Sequence, residues 1–248
     1  MIGAQTGLSG AEGPFKVSKI DIQVEDRSWA FAEMRQTEIA DYFTGLLKLN
    51  PTLFNGPMLL ADRWAIRGDT FYGQLFWTDF ASFLYWRDVH PDGRNDNLAD
   101  TRNIFGAAAV RSSEGYLLVG EMAAHTANAG RIYGPCGSLD LEDVASARID
   151  IDGAMARELA EETGLDLSLA TGMPGYLIWF DGPRVAIVRE YRYDANAKLL
   201  AARVEAFVAK EPEPELAAIH FLGPNTALEA ARMPDYTVAM VRWLFYES

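Results

Sequence analysis

The spacing of hydrophobic and polar positions changes several times along the chain. Residues 16–24, Lys-Val-Ser-Lys-Ile-Asp-Ile-Gln-Val, alternate and predict a strand. Residues 27–48 run without Gly or Pro as far as Gly45 and predict a helix, which Pro51 ends. Residues 57–67 and 71–77 are β-like, with a turn at Gly68-Asp69 between them. Phe80, Phe83, Leu84 and Trp86 are spaced for a short buried helix over 79–88. Residues 1–14 are expected to form a loose tail. Residues 89–100, with Pro91, Asp92 and Gly93, are expected to form a linker that divides the chain into 1–100 and 101–248.

The second part opens with a hairpin pattern, 104–110 and 116–122 around a turn at 112–115. A Gly- and Pro-containing loop follows at 130–143, then a helix at 151–163 that Gly164 stops. Further strands are predicted at 175–180, 184–192, 203–209 and 217–222. A closing helix over 236–245 carries Val238, Val241, Leu244 and Phe245 on one face. Strands, helix, strands, helix is the order of an α/β sandwich with helices covering a mixed sheet, preceded by a smaller α+β region.

Composition narrows the function. The chain has 248 residues, enough for a sizeable buried core, and 49% hydrophobic with 23% charged residues is ordinary for a globular protein. The single cysteine, Cys136, excludes an internal disulfide and suits a reducing cytoplasm. Met1 to Glu12 lack a basic start followed by an apolar run, so no signal peptide is expected. No stretch approaches the roughly 20 apolar residues of a membrane span. A net charge of −13 repels phosphate backbones and argues against nucleic-acid polymers. It leaves small phosphorylated ligands open, provided that divalent cations bridge the two negative parties.

The chemistry concentrates on the 151–163 helix, in Arg157-Glu158-Leu159-Ala160-Glu161-Glu162-Thr163-Gly164-Leu165. Residues three and four apart share a helix face, so Glu158, Glu161 and Glu162 are neighbours. Carboxylates gathered in this way repel one another unless a cation sits among them, and hard divalent ions take oxygen ligands. Arg157, four before Glu161, is placed to orient a carboxylate.

That string matches the second half of the Nudix signature at all seven specified positions, and the chain resembles the Nudix hydrolase superfamily over about residues 104–248. The first half departs from the pattern. Where the family has a Glu eight before the Arg and a Gly fourteen before it, this chain has Ile149 and Asp143. Gly134-Pro135-Cys136-Gly137 resembles the family's Pro-Gly-Gly lead-in, but Gly137 stands 20 before Arg157, so the loop is longer. Asp150 is suited to cap the helix. Asp150, Asp152 and Glu142 are candidates to replace the missing Glu, which in the family mainly orients the Arg.

The resemblance implies an α/β/α sandwich and hydrolysis of a phosphoanhydride bond in a nucleoside diphosphate linked to another group. It implies Mg²⁺, or Mn²⁺, on Glu158, Glu161 and Glu162, with Arg157 and Glu158 in the catalytic machinery. The general base varies across the family. Glu205, Glu211, Glu213 and Glu215 are candidates, and Glu205, beside a predicted strand, is preferred. Arg131 is suited to contact phosphate and Tyr133 to pack on a ring. His125, in the same segment, has no obvious catalytic partner. Asn55-Gly56-Pro57 and residues 78–84 resemble the added N-terminal region of Nudix members that split UDP-glucose and UDP-galactose, which favours a nucleotide sugar. The aromatics Phe54, Trp64, Phe71, Tyr72, Phe76 and Trp77 are expected in the core, in a region that closes one wall of the pocket or forms a homodimer face. The competing expectations are a Nudix-fold nucleotide sensor without turnover, an isomerase, and an acyl-coenzyme A diphosphatase.

Overall fold

A computed structural model describes residues 11–91 and 101–247, so the expected boundary near residue 100 lies outside the described residues. The first part supplies strands β1 (Glu12–Val17) and β2 (Lys19–Glu25), and helices α1 (Ala30–Met34) and α2 (Gln36–Leu49). Strands β3 (Pro57–Arg67) and β4 (Thr70–Asp79) and helix α3 (Phe80–Val89) complete it. The second part begins with β5 (Asn103–Arg111), β6 (Leu117–Met122), β7 (Ile132–Tyr133) and β8 (Cys136–Ser138). A 3₁₀ turn at Leu141–Asp143, β9 (Val144–Ala145), β10 (Arg148–Ile149) and helix α4 (Ile151–Thr163) follow. The chain closes with β11 (Ala170–Gly172), β12 (Tyr176–Asp181), β13 (Arg184–Tyr193), α5 (Ala197–Val208), β14 (Leu216–Leu222) and α6 (Asp235–Tyr246).

The architecture is α/β. A large mixed sheet runs β1-β12-β13-β5-β6-β14, and a smaller one runs β3-β4-β2-β10-β9. β5 and β13 pair in parallel at the centre of the large sheet, in register from Asn103–Arg184 to Arg111–Arg192. β5 is apolar from Ile104 to Val110 because both of its faces are covered. Ile104, Ala108 and Val110 join a core shared with α4, α5 and the small sheet, while Phe105, Ala107 and Ala109 join a second core under α6. Helices α1 to α3 close a third core on the small sheet, around Trp29, Phe76 and Trp86. Gly106 lets α4 lie close on the sheet, since a Cβ there would stand 2.9 Å from Met155 Cγ.

Four elements differ from the sequence expectation. The alternating run at 16–24 breaks at Ser18 into two strands in different sheets, β1 against β12 and β2 parallel to β4. Residues 12–14, expected in a loose tail, belong to β1. The first helix breaks at Arg35, whose φ of −124° leaves the helical region. Residues 203–209 are not a strand: most belong to α5, which Asn196 caps at Leu199 N (2.8 Å) and which buries Leu200 and Val204 one turn apart. The two parts also exchange strands. β1 completes the large sheet and the β9–β10 hairpin extends the small one, with Arg148 on β10 ion-paired to Asp21 on β2. No helix among the described residues is long and apolar enough to cross a membrane.

Candidate active site

Helix α4 starts where Asp150 accepts a hydrogen bond from Gly153 N (3.0 Å) and stops at Gly164, whose φ of 67° is left-handed. Leu159 and Met155 turn into the core. The opposite face presents the charged set. Arg157 is its hub. Nε and Nη2 donate to the two carboxylate oxygens of Asp143 at 3.2 and 2.9 Å, the bidentate arrangement that suits a guanidinium. Nη1 meets Glu158 Oε1 at 2.8 Å and Glu161 Oε2 at 3.0 Å. Asp143 is 4% exposed and is itself fixed by Asp140 N, which donates to its Oδ2 at 3.0 Å.

Asp143 therefore holds the arginine. Asp150 caps α4 instead, and Asp152 faces another way, accepting from Tyr176, Arg189 and Tyr191. The longer loop ends in the 3₁₀ turn that brings Asp143 alongside Arg157. No local sequence signal marks Asp143 for this role, because it reaches Arg157 only through the path of the loop.

On this face Glu162 is buried and Glu158 is half-buried. Glu162 is 6% exposed, and its Oε1 accepts from Cys136 N at 3.2 Å. Glu158 lies against the Cα of Gly137, where a Cβ would stand 2.1 Å from Glu158 Cδ. Burial pushes the Glu158 carboxyl up to about 7, opposed by Arg157 and assisted by Glu161. Glu162 is held well above the ordinary carboxylate range by burial, then by repulsion from Glu158 and Glu215. Burial, followed by Glu162, also raises the Cys136 thiol, which makes a poor thiolate nucleophile.

Glu158 and Cys136 border a cleft of about 650 Å³. Glu158 and Glu161 line it, together with Glu213 and Glu215 from the segment leading into β14. Glu205 does not line it; it lies on the exposed side of α5, because the predicted strand is a helix. Arg131 and Tyr133 both line it. Arg131 Nη1 reaches Ala231 O at 3.3 Å, and the buried Tyr133 hydroxyl accepts from Asn128 Nδ2 at 3.1 Å. His125 contributes to the lining, and its carbonyl accepts from Asn50. Thr52, Leu53, Phe54 and Phe80 form a wall from the first part. Phe71 and Phe76 are core residues, but Phe54, expected there too, is 80% exposed.

The donor set is all oxygen, as a hard divalent cation requires. Two of its carboxylates, the buried Glu162 and the half-buried Glu158, have raised proton affinity, and a metal ion would relieve their repulsion as a proton does. Among the described residues no three His, Cys, Asp or Glu side chains are gathered into a cage. Arg157 holds Glu158 and Glu161, while the Cys136 amide holds Glu162.

No protein-family model matches this chain, and no curated protein matches it. Solved structures do. The MutT protein from Methanosarcina mazei is 17% identical, over 58% of this chain and 92% of that one, with a TM-score of 0.41. A Nudix hydrolase from M. smegmatis, RenU, is 14% identical over 57% of this chain and 83% of that one, with a TM-score of 0.37. A bifunctional NMN adenylyltransferase/ADP ribose pyrophosphatase from Francisella tularensis, in complex with AMP and a Mn ion, is 15% identical. That match covers 64% of this chain and 45% of that one, with a TM-score of 0.38. Values this low transfer no residue role and no activity.

Proposed function

We propose that this chain is a divalent-cation-dependent hydrolase of the Nudix type. It cleaves the phosphoanhydride bond of a nucleoside diphosphate linked to another moiety, with a nucleotide sugar, a UDP-sugar among them, as the favoured substrate. The observation that carries the reading is the Arg157 hub. A buried Asp143 restores the support that the departed first half of the signature removes, and leaves Glu158 and Glu161 on the wall of a cleft, with the buried Glu162 one turn on from Glu158.

Glu158, Glu161 and Glu162 would hold Mg²⁺ or Mn²⁺. Bound there, the ion supplies charge neutralisation on the phosphates and acidifies an attacking water. The protein's own part is positioning. Arg157 fixes the direction of Glu158 and Glu161, which keeps the reorganisation needed at the moment of reaction small. Glu215, at the cleft and close enough to raise the Glu162 carboxyl, is the residue we assign as proton acceptor from water. Arg131 carries a guanidinium for a phosphate, and Tyr133 offers a ring edge to the base or ribose. The cleft volume is that of a small-molecule site.

The sensor reading has one observation in its favour: the carboxylates are not drawn together into a cage. The test is a product assay with Mg²⁺, Mn²⁺ or chelator on UDP-sugars, ADP-ribose, dinucleoside polyphosphates, coenzyme A and nucleoside triphosphates. Metal-dependent cleavage of a diphosphate conjugate supports the proposal. Cleavage confined to coenzyme A moves the assignment to the acyl-coenzyme A diphosphatase. Nucleotide binding without any product moves it to the sensor.

A further inference from the structure

The cleft contains a polar pair that the reaction chemistry leaves unused. Asn103 opens β5 and Arg184 opens β13, and the parallel register sets them side by side on the face that α6 covers. Both line the cleft, together with Phe54, Phe80, Phe105 and Tyr236. Asn103 is 7% exposed, yet its Oδ1 is buried without a hydrogen-bond partner. Nε of Arg184 is likewise buried and unpartnered. Folded proteins leave few such atoms. An unused acceptor next to an unused donor, both in a cleft, marks a place where a ligand completes the bonding.

The arrangement also selects the kind of group. The charge of Arg184 is already matched, because Nη2 donates to Asp181 at 2.8 Å. Asp181 is buried and is further held by Tyr236 N at 3.3 Å. The buried atoms left without a partner are one donor and one acceptor, beside a guanidinium whose charge is matched. A phosphate oxygen can accept from Arg184 Nε but brings no hydrogen for the Asn103 carbonyl oxygen. A hydroxyl donates once and accepts, so a single sugar hydroxyl satisfies both atoms. The aromatic side chains beside the pair suit the apolar face of a pyranose ring.

We propose that Asn103 and Arg184 form the subsite for the sugar joined to the nucleoside diphosphate, binding one of its hydroxyls and selecting which conjugate the cleft accepts. This rests on the reading of the cleft as a nucleotide-sugar site. A site built to hydrogen-bond a hydroxyl discriminates strongly against a ligand that lacks it.

Calorimetric titration of the full chain tests the pair. Ca²⁺ replaces Mg²⁺, keeping the charge but not the tight octahedral geometry. The probes are UDP-glucose with UDP, ADP-ribose with ADP, and GDP-mannose with GDP. In at least one of these, the conjugate is expected to bind about ten-fold more tightly than its parent diphosphate. Asn103→Leu is expected to abolish that gain and leave the parent's affinity unchanged. Arg184→Lys keeps a cation for Asp181 but lacks Nε, and is expected to do the same; thermal unfolding checks that both variants fold. Absence of a gain in the wild type overturns the inference. So does a gain that survives both substitutions, or an equal loss for conjugate and parent, which would place the contact on ribose or phosphate. A sugar-dependent gain without metal-dependent product overturns the hydrolase reading and leaves the subsite standing. Metal-dependent product without the gain does the reverse.

Discussion

Gly137→Ala separates position from folding more cleanly than any change to a charged residue. The backbone accepts the alanine, since Gly137 is not among the residues with positive φ. The new methyl carbon would stand 2.1 Å from Glu158 Cδ and Oε1 and 2.2 Å from Oε2. Carbon atoms settle at about 3.5–4.0 Å, so the overlap is roughly 1.4 Å or more. The obstructed atoms are the far end of a flexible side chain, so the carboxylate moves and the strand stays. The cost to folding is then about 1 kcal/mol at most, a fall in Tm of roughly 2–4 °C for a chain of this size. The carboxylate leaves its contact with Arg157 Nη1, 2.8 Å in the native arrangement. A displacement on the order of 1 Å is enough to lower kcat about 100-fold. Steady-state kinetics in Mg²⁺ on the conjugate that the native chain cleaves, with calorimetric unfolding alongside, measures both. A variant with an intact transition and native kcat would refute the claim that the seat of Glu158 matters to turnover.

Three further outcomes follow from the same geometry. Asp143→Asn keeps the shape but turns one arginine contact into donor against donor; about 3 kcal/mol is expected to be lost, a fall in Tm of roughly 10 °C, with lower kcat, checked by thermal denaturation and kinetics. In chelator, stability is expected to fall as pH rises from about 4.5 to 7. The folded Glu158 carboxyl titrates near 7 against an ordinary 4.5, so over that window the folded state binds more protons than the unfolded one. Tm against pH checks this, and divalent cations or Glu158→Gln should flatten the slope. Finally, Glu215→Gln should lower kcat with little change in KM while Glu205→Gln leaves both unchanged; equal effects would remove Glu215 from the reaction.

Helix α4 was legible in the sequence because its signals are local. A capping Asp150, a run of helix formers and a terminal Gly164 fix both ends without reference to the rest of the chain. α5 was misread because Arg203-Val204-Glu205-Ala206-Phe207-Val208 alternates like a strand over its last turns. The deciding signals, Asn196 and the Leu200–Val204 spacing, lie upstream. The strand at 16–24 has the right period, but period alone does not say that the chain changes sheets at Ser18. The site divides in the same way. Residues on one helix face announce themselves by spacing, whereas Asp143 reaches Arg157 only through the path of a loop. Asn103 and Arg184 become neighbours only through the register of two strands 81 residues apart in sequence, as 184 less 103.

The account rests on the Glu-rich face of α4 holding the cation, and Glu162→Gln addresses that most directly. The substitution removes a charge but keeps the volume and the oxygen that accepts from Cys136 N. Folding without metal should be unchanged or slightly firmer, because a buried carboxylate with raised proton affinity is replaced by a neutral amide. Turnover of a diphosphate conjugate in saturating Mg²⁺ is then the measurement. Loss of most of the native kcat, with the thermal transition intact, is the predicted result; native kcat in a folded Glu162→Gln variant would contradict the account.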